Sequence, residues 1–172
     1  MTPETDTKAA PAAARIPGPF SALGLSIMAL TILVDQLSKW IADAYLVYQQ
    51  GIAVLPVLAL YRINNTGIAF SLGNSADSLV LIVLTAIVTG VVFWVWRGST
   101  EGGRTAATGF ALIAGGAIGN LIDRIWHGHV IDFLYLHWNE RGFFVFNLAD
   151  VALTIGPLLL AWVYLLQPGK KG

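Results

Sequence analysis

Long apolar runs, separated by short stretches where polar residues gather, organise this chain. A helix needs roughly 20 mostly apolar residues to cross a bilayer, and four segments approach that length: about 21–45, 78–96, 105–122 and 148–167. The second and third carry no charged residue, and the fourth carries only Asp150, near its start. The first is apolar through residues 22–34 and then turns polar at Asp35, Lys39 and Asp43. Two connections do not read as plain linkers. Residues 54–63, 133–138 and 143–146 are rich in β-branched and aromatic side chains, and Asn139-Glu140-Arg141-Gly142 reads as a turn between the last two. The pattern predicts an all-α membrane protein: four transmembrane helices with a small β-structure on the outward face, whose aromatics suit the membrane–water interface.

Composition agrees with lipid as the main solvent. Of 172 residues 56% are hydrophobic and 12% charged, against about 25% charged in soluble domains. Ten basic residues balance ten acidic ones, so no nucleic-acid partner is expected. The absence of cysteine excludes disulfides, a cysteine nucleophile and thiolate metal sites. The length suits one transmembrane domain over residues 20–172. Residues 1–19, with Pro3, Pro11, Pro17 and Pro19 among Ala and Thr, read as a disordered tail. The first apolar run follows Lys8 and Arg15 and has signal-peptide length, yet no small-x-small cleavage site leads into a soluble domain and three more spans follow. It reads as a retained helix. Lys8, Arg15, Arg97, Arg104, Lys170 and Lys171 fall on one side of a four-span chain. Both termini are therefore expected in the cytoplasm.

Ionisable groups in a membrane protein are costly, and each is a functional hypothesis by default. Here they collect at the outward ends of the helices: Asp123 and Arg124 closing the third, Asp132 in the following loop, Asp150 opening the fourth. Asn120 lies one turn before Asp123, and Asn64 and Asn65 belong to the other outward connection. Two carboxylates sharing a proton can hydrolyse a peptide bond, one drawing a proton from water and the other donating to the carbonyl or leaving amide. The same residues have plainer readings. Asn147-Leu148-Ala149-Asp150 fits a capping pattern at a helix start. Asp123-Arg124 fits an interfacial ion pair, and Asp35 and Lys39 fit an i, i+4 pair. Gly115, Gly116 and Gly119 fit close helix packing. Trp126, Tyr135 and Trp138 fit interface anchors. His127-Gly128-His129 with Asp132 is a weak metal-ligand pattern, and no metal or other cofactor is expected. HExxH, GxSxG and phosphate-loop motifs are absent from the sequence.

Taken together these residues resemble the lipoprotein signal peptidase (type II signal peptidase) family. Asp35-Gln36-Leu37-Ser38-Lys39 is similar to its first-helix motif, and Asn65-Thr66-Gly67-Ile68-Ala69-Phe70 to its NxGxAF motif. Gly116-Ala117-Ile118-Gly119-Asn120-Leu121-Ile122-Asp123-Arg124 is similar to its GNxxDR block. Val130-Ile131-Asp132-Phe133 resembles VxDF, and Phe146-Asn147-Leu148-Ala149-Asp150 resembles FNxAD. The resemblance implies an intramembrane aspartyl endopeptidase that removes signal peptides from diacylglyceryl-modified prolipoproteins before the lipidated cysteine. It implies Asp132 and Asp150 as the catalytic pair and Asn65, Asn120, Arg124 and Asn147 as polar active-site positions. Asp35, Lys39, Asp123 and Gly116 are implied as structural support. The expected setting is a monomer among membrane lipids in the bacterial inner membrane, with its site near the outer leaflet. Two other classes fit a small helical bundle with membrane acids. A proton-coupled transporter would place them near the midplane on interrupted helices, and a non-catalytic lipid-binding subunit would tolerate loss of either aspartate.

Overall fold

The computed structural model describes residues 16–67, 75–139 and 141–166. Its elements run α1 (Ala22–Tyr45), β1 (Gly51–Leu55), β2 (Leu58–Asn65), α2 (Ser75–Gly98), α3 (Gly103–His127), β3 (Val130–Trp138), β4 (Arg141–Phe146) and α4 (Leu148–Ala161). A π-helical turn, Trp162–Leu166, continues α4. Among the described residues four helices are long and apolar enough to cross a membrane, and a small antiparallel sheet joins them. The architecture is thus the one the hydrophobic pattern predicts.

The differences lie at the edges of elements. α3 runs past Asp123-Arg124 to His127 and stops where Gly128 adopts a left-handed conformation, the usual way a helix is closed by glycine. An apolar-run criterion ends a span at the first charges, whereas the backbone continues until a stop signal. The β-rich stretch 54–63 is divided by a turn at Pro56 and Val57, so it contributes parts of both β1 and β2. Ile16–Pro19, grouped with the tail on composition, is instead packed: Ile16 is buried, and the Trp96 indole N–H donates to the Pro17 carbonyl at 2.9 Å. The remainder of the expected tail, residues 1–15, lies outside the described residues.

α3 is the hub. It is largely buried, while α1, α2 and α4 expose most of their apolar surface, as helices facing lipid do. Its inner face is built from small residues, among them Ala107, Ala111, Ala114, Gly116 and Gly119. Gly116 permits a close approach to the α4 backbone: a Cβ there would stand 2.6 Å from the Ala149 carbonyl oxygen. At the end far from the sheet, Trp96 is sealed between helices and stacks on Phe110 with centroids 5.9 Å apart.

The sheet has the order β1-β2-β3-β4, antiparallel throughout. It sits where α1 and α3 end and α4 begins. Arg62 on β2 fixes it to α1, donating to the Asp43 carbonyl at 2.8 Å and pairing with the Asp43 carboxylate at 2.5 Å. Trp138 at the end of β3 and Phe143 and Phe144 on the edge strand β4 stay exposed. Ile63 pairs with Asp132 and Asn65 with Val130. Side chains two apart on a strand share a face, so this register makes Asn65 the diagonal neighbour of Asp132.

Candidate active site

Four elements deliver the groups around the two aspartates, β2 among them with Asn65. β3 carries Asp132, the start of α4 carries Asn147 and Asp150, and the last turns of α3 carry Asn120, Asp123 and Arg124. Asp132 and Asn147 are almost wholly buried, at 1% and 0% exposure, far from the usual place of a carboxylate and an amide.

Each oxygen of the two aspartates meets a nitrogen donor. Asp132 accepts from the Asn65 amide on Oδ2 at 2.8 Å and from the Asn147 amide on Oδ1 at 2.6 Å. Asp150 accepts from the Asn120 amide on Oδ1 at 2.9 Å and from the Asn147 backbone N–H on Oδ2 at 3.2 Å. The Asn147 amide also donates to Asn120 Oδ1 at 3.2 Å, so a pair of amides bridges the two carboxylates.

The orientation of each amide follows from the donor on its far side. Asn147 Oδ1 takes the Asp150 N–H at 2.9 Å, Asn65 Oδ1 takes the Gly67 N–H at 2.8 Å, and Asn120 Oδ1 takes the Lys39 ammonium at 2.8 Å. None of these donors can accept, so each amide must present oxygen to it and NH2 to the carboxylate. Gly67 itself lies at φ +76°, a conformation that glycine adopts without strain. The capping reading of Asn147 to Asp150 is also realised, because both bonds of the box are present. Asp150 therefore serves the helix with one oxygen and faces the site with the other.

Behind this layer lies a buried ionic cluster. Lys39 Nζ is 2.9 Å from Asp35 and 2.8 Å from Asp123. Asp35 Oδ1 accepts the Ala149 N–H at 2.8 Å, giving α4 a second cap from another helix. Asp123 accepts the Ile131 N–H at 3.2 Å, tying β3 to α3. Gln36 completes the cluster by donating to Asp123 at 2.9 Å and to the Gly119 carbonyl at 3.2 Å. Gly119 leaves the room, since a Cβ there would lie 2.6 Å from Asp35 Oδ2. Sequence reading assigned no part to Gln36, although it stands inside the Asp35 to Lys39 motif. A glutamine on an apolar helix face was the available signal.

Arg124 donates to the Asn120 carbonyl at 3.1 Å and lies in the field of Asp150, Asp123 and Asp132. Its buried Nε has no hydrogen-bond partner among the described residues. Burial pushes the Asp132 carboxyl up to about 6, aided by the charge of Asp150 and opposed by the bonds from Asn65 and Asn147. Two carboxyl groups of unlike environment, joined by amides, form an arrangement suited to general acid–base chemistry. His127 and His129 stand aside with ring centroids 6.0 Å apart, and burial together with His127 lowers the pKa of His129. Among the described residues no group of three or more His, Cys, Asp or Glu is placed to hold a metal ion.

The family model for signal peptidase (SPase) II matches residues 27–166. This chain belongs to the signal peptidase II family. Proteins named lipoprotein signal peptidase from Brucella ovis and Brucella canis are 43% identical to it over 136 residues, covering 79% of this chain and 85% of theirs. Two solved structures described as bacterial membrane enzymes share the fold at 24% identity. Their TM-scores are 0.78 and 0.79, over 93% and 90% of this chain and 96% and 98% of theirs. The match over 27–166 contains all ten site positions singled out in the sequence, from Asp35 to Asp150.

Proposed function

We propose that this chain is an aspartic endopeptidase that removes signal peptides from diacylglyceryl-modified prolipoproteins, cutting just before the lipidated cysteine. Family membership supports signal-peptide processing of prolipoproteins, and the Brucella relatives carry the name lipoprotein signal peptidase. The observation that carries the aspartic reading is the pair of carboxylates with every oxygen met by a nitrogen donor.

In this reading the pair shares one proton. Asp132, with its raised pKa, holds it, and Asp150 acts as the base. Asp150 takes a proton from water as the water oxygen bonds to the scissile carbonyl carbon. Asp132 gives its proton to the carbonyl oxygen. As one diol hydroxyl returns its proton to Asp132, collapse breaks the carbon–nitrogen bond, and the departing amine takes the proton held by Asp150. Arg124, with an unmatched donor beside the pair, suits a substrate oxygen. The Asn65, Asn120 and Asn147 amides orient the carboxylates. The enzyme works as a monomer in the inner membrane, and a lipid-anchored substrate reaches the site from the outer leaflet.

The test is incubation of the purified protein with a diacylglyceryl-modified prolipoprotein. Cleavage before the modified cysteine is expected from the wild type and not from Asp132→Asn or Asp150→Asn. Cleavage of the unmodified precursor at the same rate would remove the lipid from the proposed recognition.

A further inference from the structure

The proposed reaction leaves Lys39 without a part, although only one amide separates it from a catalytic carboxylate. Its ammonium has three donors and no acceptor, and three partners take them: Asp35 at 2.9 Å, Asp123 at 2.8 Å and Asn120 Oδ1 at 2.8 Å. Two of the three site amides are oriented by backbone N–H groups, which no substitution but proline removes. Asn120 is oriented by a side chain. Its other hold, the Asn147 amide at 3.2 Å, is longer and shared with Asp132.

We infer that Lys39 is a positioning residue for hydrolysis: it keeps the Asn120 amide turned so that NH2, and not oxygen, faces Asp150. The inference rests on the aspartic reading above. Without the ammonium the amide can turn over and set its carbonyl oxygen against Asp150 Oδ1. Lone pairs then oppose each other, and the ionised form needed of a base is disfavoured. The charged groups bearing on Asp150 are Arg124 on α3 and Asp132 on β3, with Lys39, Asp35 and Asp123 one layer behind. Lys39→Met alters the amide and the charge together, so the test must separate them.

A double-mutant cycle does so. Lys39→Met, Asn120→Ala and the double variant are assayed for kcat, KM and pH dependence per folded enzyme, with melting in detergent as the measure of folding. If Lys39 acts through Asn120, each single variant lowers kcat by about 10–100-fold. KM stays near wild type, and the acid limb of the kcat profile departs from that of the wild type. The double variant is then no worse than Asn120→Ala alone. Lys39→Arg, which keeps the donors, recovers the wild-type limb. Effects that multiply in the double variant, or an acid limb unmoved in Lys39→Met, overturn the inference and leave Lys39 a charge or a packing element. Should Lys39→Met fail to fold, the cycle is run on Asp123→Asn, where losing the ammonium strands one carboxylate instead of two, with the same deciding outcomes. Full activity of Asp150→Asn would sink the aspartic reading itself. An inactive Asp150→Asn with an additive cycle sinks only the role of Lys39.

Discussion

Asp150 has one observed role, closing the capping box of α4, and one proposed role, as the base, and asparagine separates them. The capping box uses Oδ2, which asparagine can supply with its carbonyl oxygen. Its new NH2 then faces the NH2 of Asn120, which cannot turn away because Lys39 holds its oxygen. Asp150→Asn should therefore fold with a loss of about 1–2 kcal/mol, while cleavage falls by at least about 10²-fold; retention of activity within a few-fold would leave capping as its whole role. Asp132 adds a pH dependence whose sign is fixed. Its folded pKa of about 6 exceeds the ordinary carboxyl value of 3.8, so between those values the folded state binds more protons than the unfolded chain. Stability from this group is complete below the unfolded value and is lost as pH rises through about 6. Two pKa units correspond to about 3 kcal/mol. Melting of the wild type in detergent from pH 4 to 7 should fall more steeply than that of Asp132→Asn. Parallel curves would contradict the burial argument.

At the level of elements, the site depends on how closely α1, α3 and α4 approach, and glycines on α3 set that distance. Gly119→Ala puts a methyl 2.6 Å from Asp35 Oδ2, where the charge cluster and the second cap of α4 meet. It should cost about 1–3 kcal/mol and lower activity by displacing the start of α4. Gly90 on α2 has nothing within 4 Å of the same position, so Gly90→Ala should melt at or above the wild-type temperature. Equal melting temperatures for the two variants would count against close packing as the reason for Gly119. The helices themselves were legible because twenty apolar residues in a row have few other fates. The ends of α3 and the split of 54–63 were not, since one depends on Gly128 taking a left-handed turn and the other on a turn at Pro56. Within the site, the Asp35–Lys39 pair could be read from i, i+4 spacing. The bonds from Asp35 to Ala149 and from Gln36 to Asp123 span 114 and 87 residues, and no local pattern encodes a partner that distant.

For the molecule as a whole, the element order decides more than any contact. Every helix end carrying site residues lies beside the sheet, and the opposite ends carry the short α2–α3 connection with Arg97 and Arg104. The acids of the candidate site thus gather at one edge, whereas a transporter would need them near the midplane. The charge bias further predicts that the Arg97 to Arg104 end faces the cytoplasm and the sheet faces outward. The absence of native cysteine makes the test direct. A cysteine at Thr100, exposed in the α2–α3 connection, should resist a membrane-impermeant maleimide applied to intact spheroplasts and react after lysis. A cysteine at Gln50, exposed just before β1, should react in both. The reverse pattern would put the carboxylate pair on the cytoplasmic side. A substrate still being exported would then meet the site before crossing the membrane, and the proposed entry from the outer leaflet would have to be abandoned.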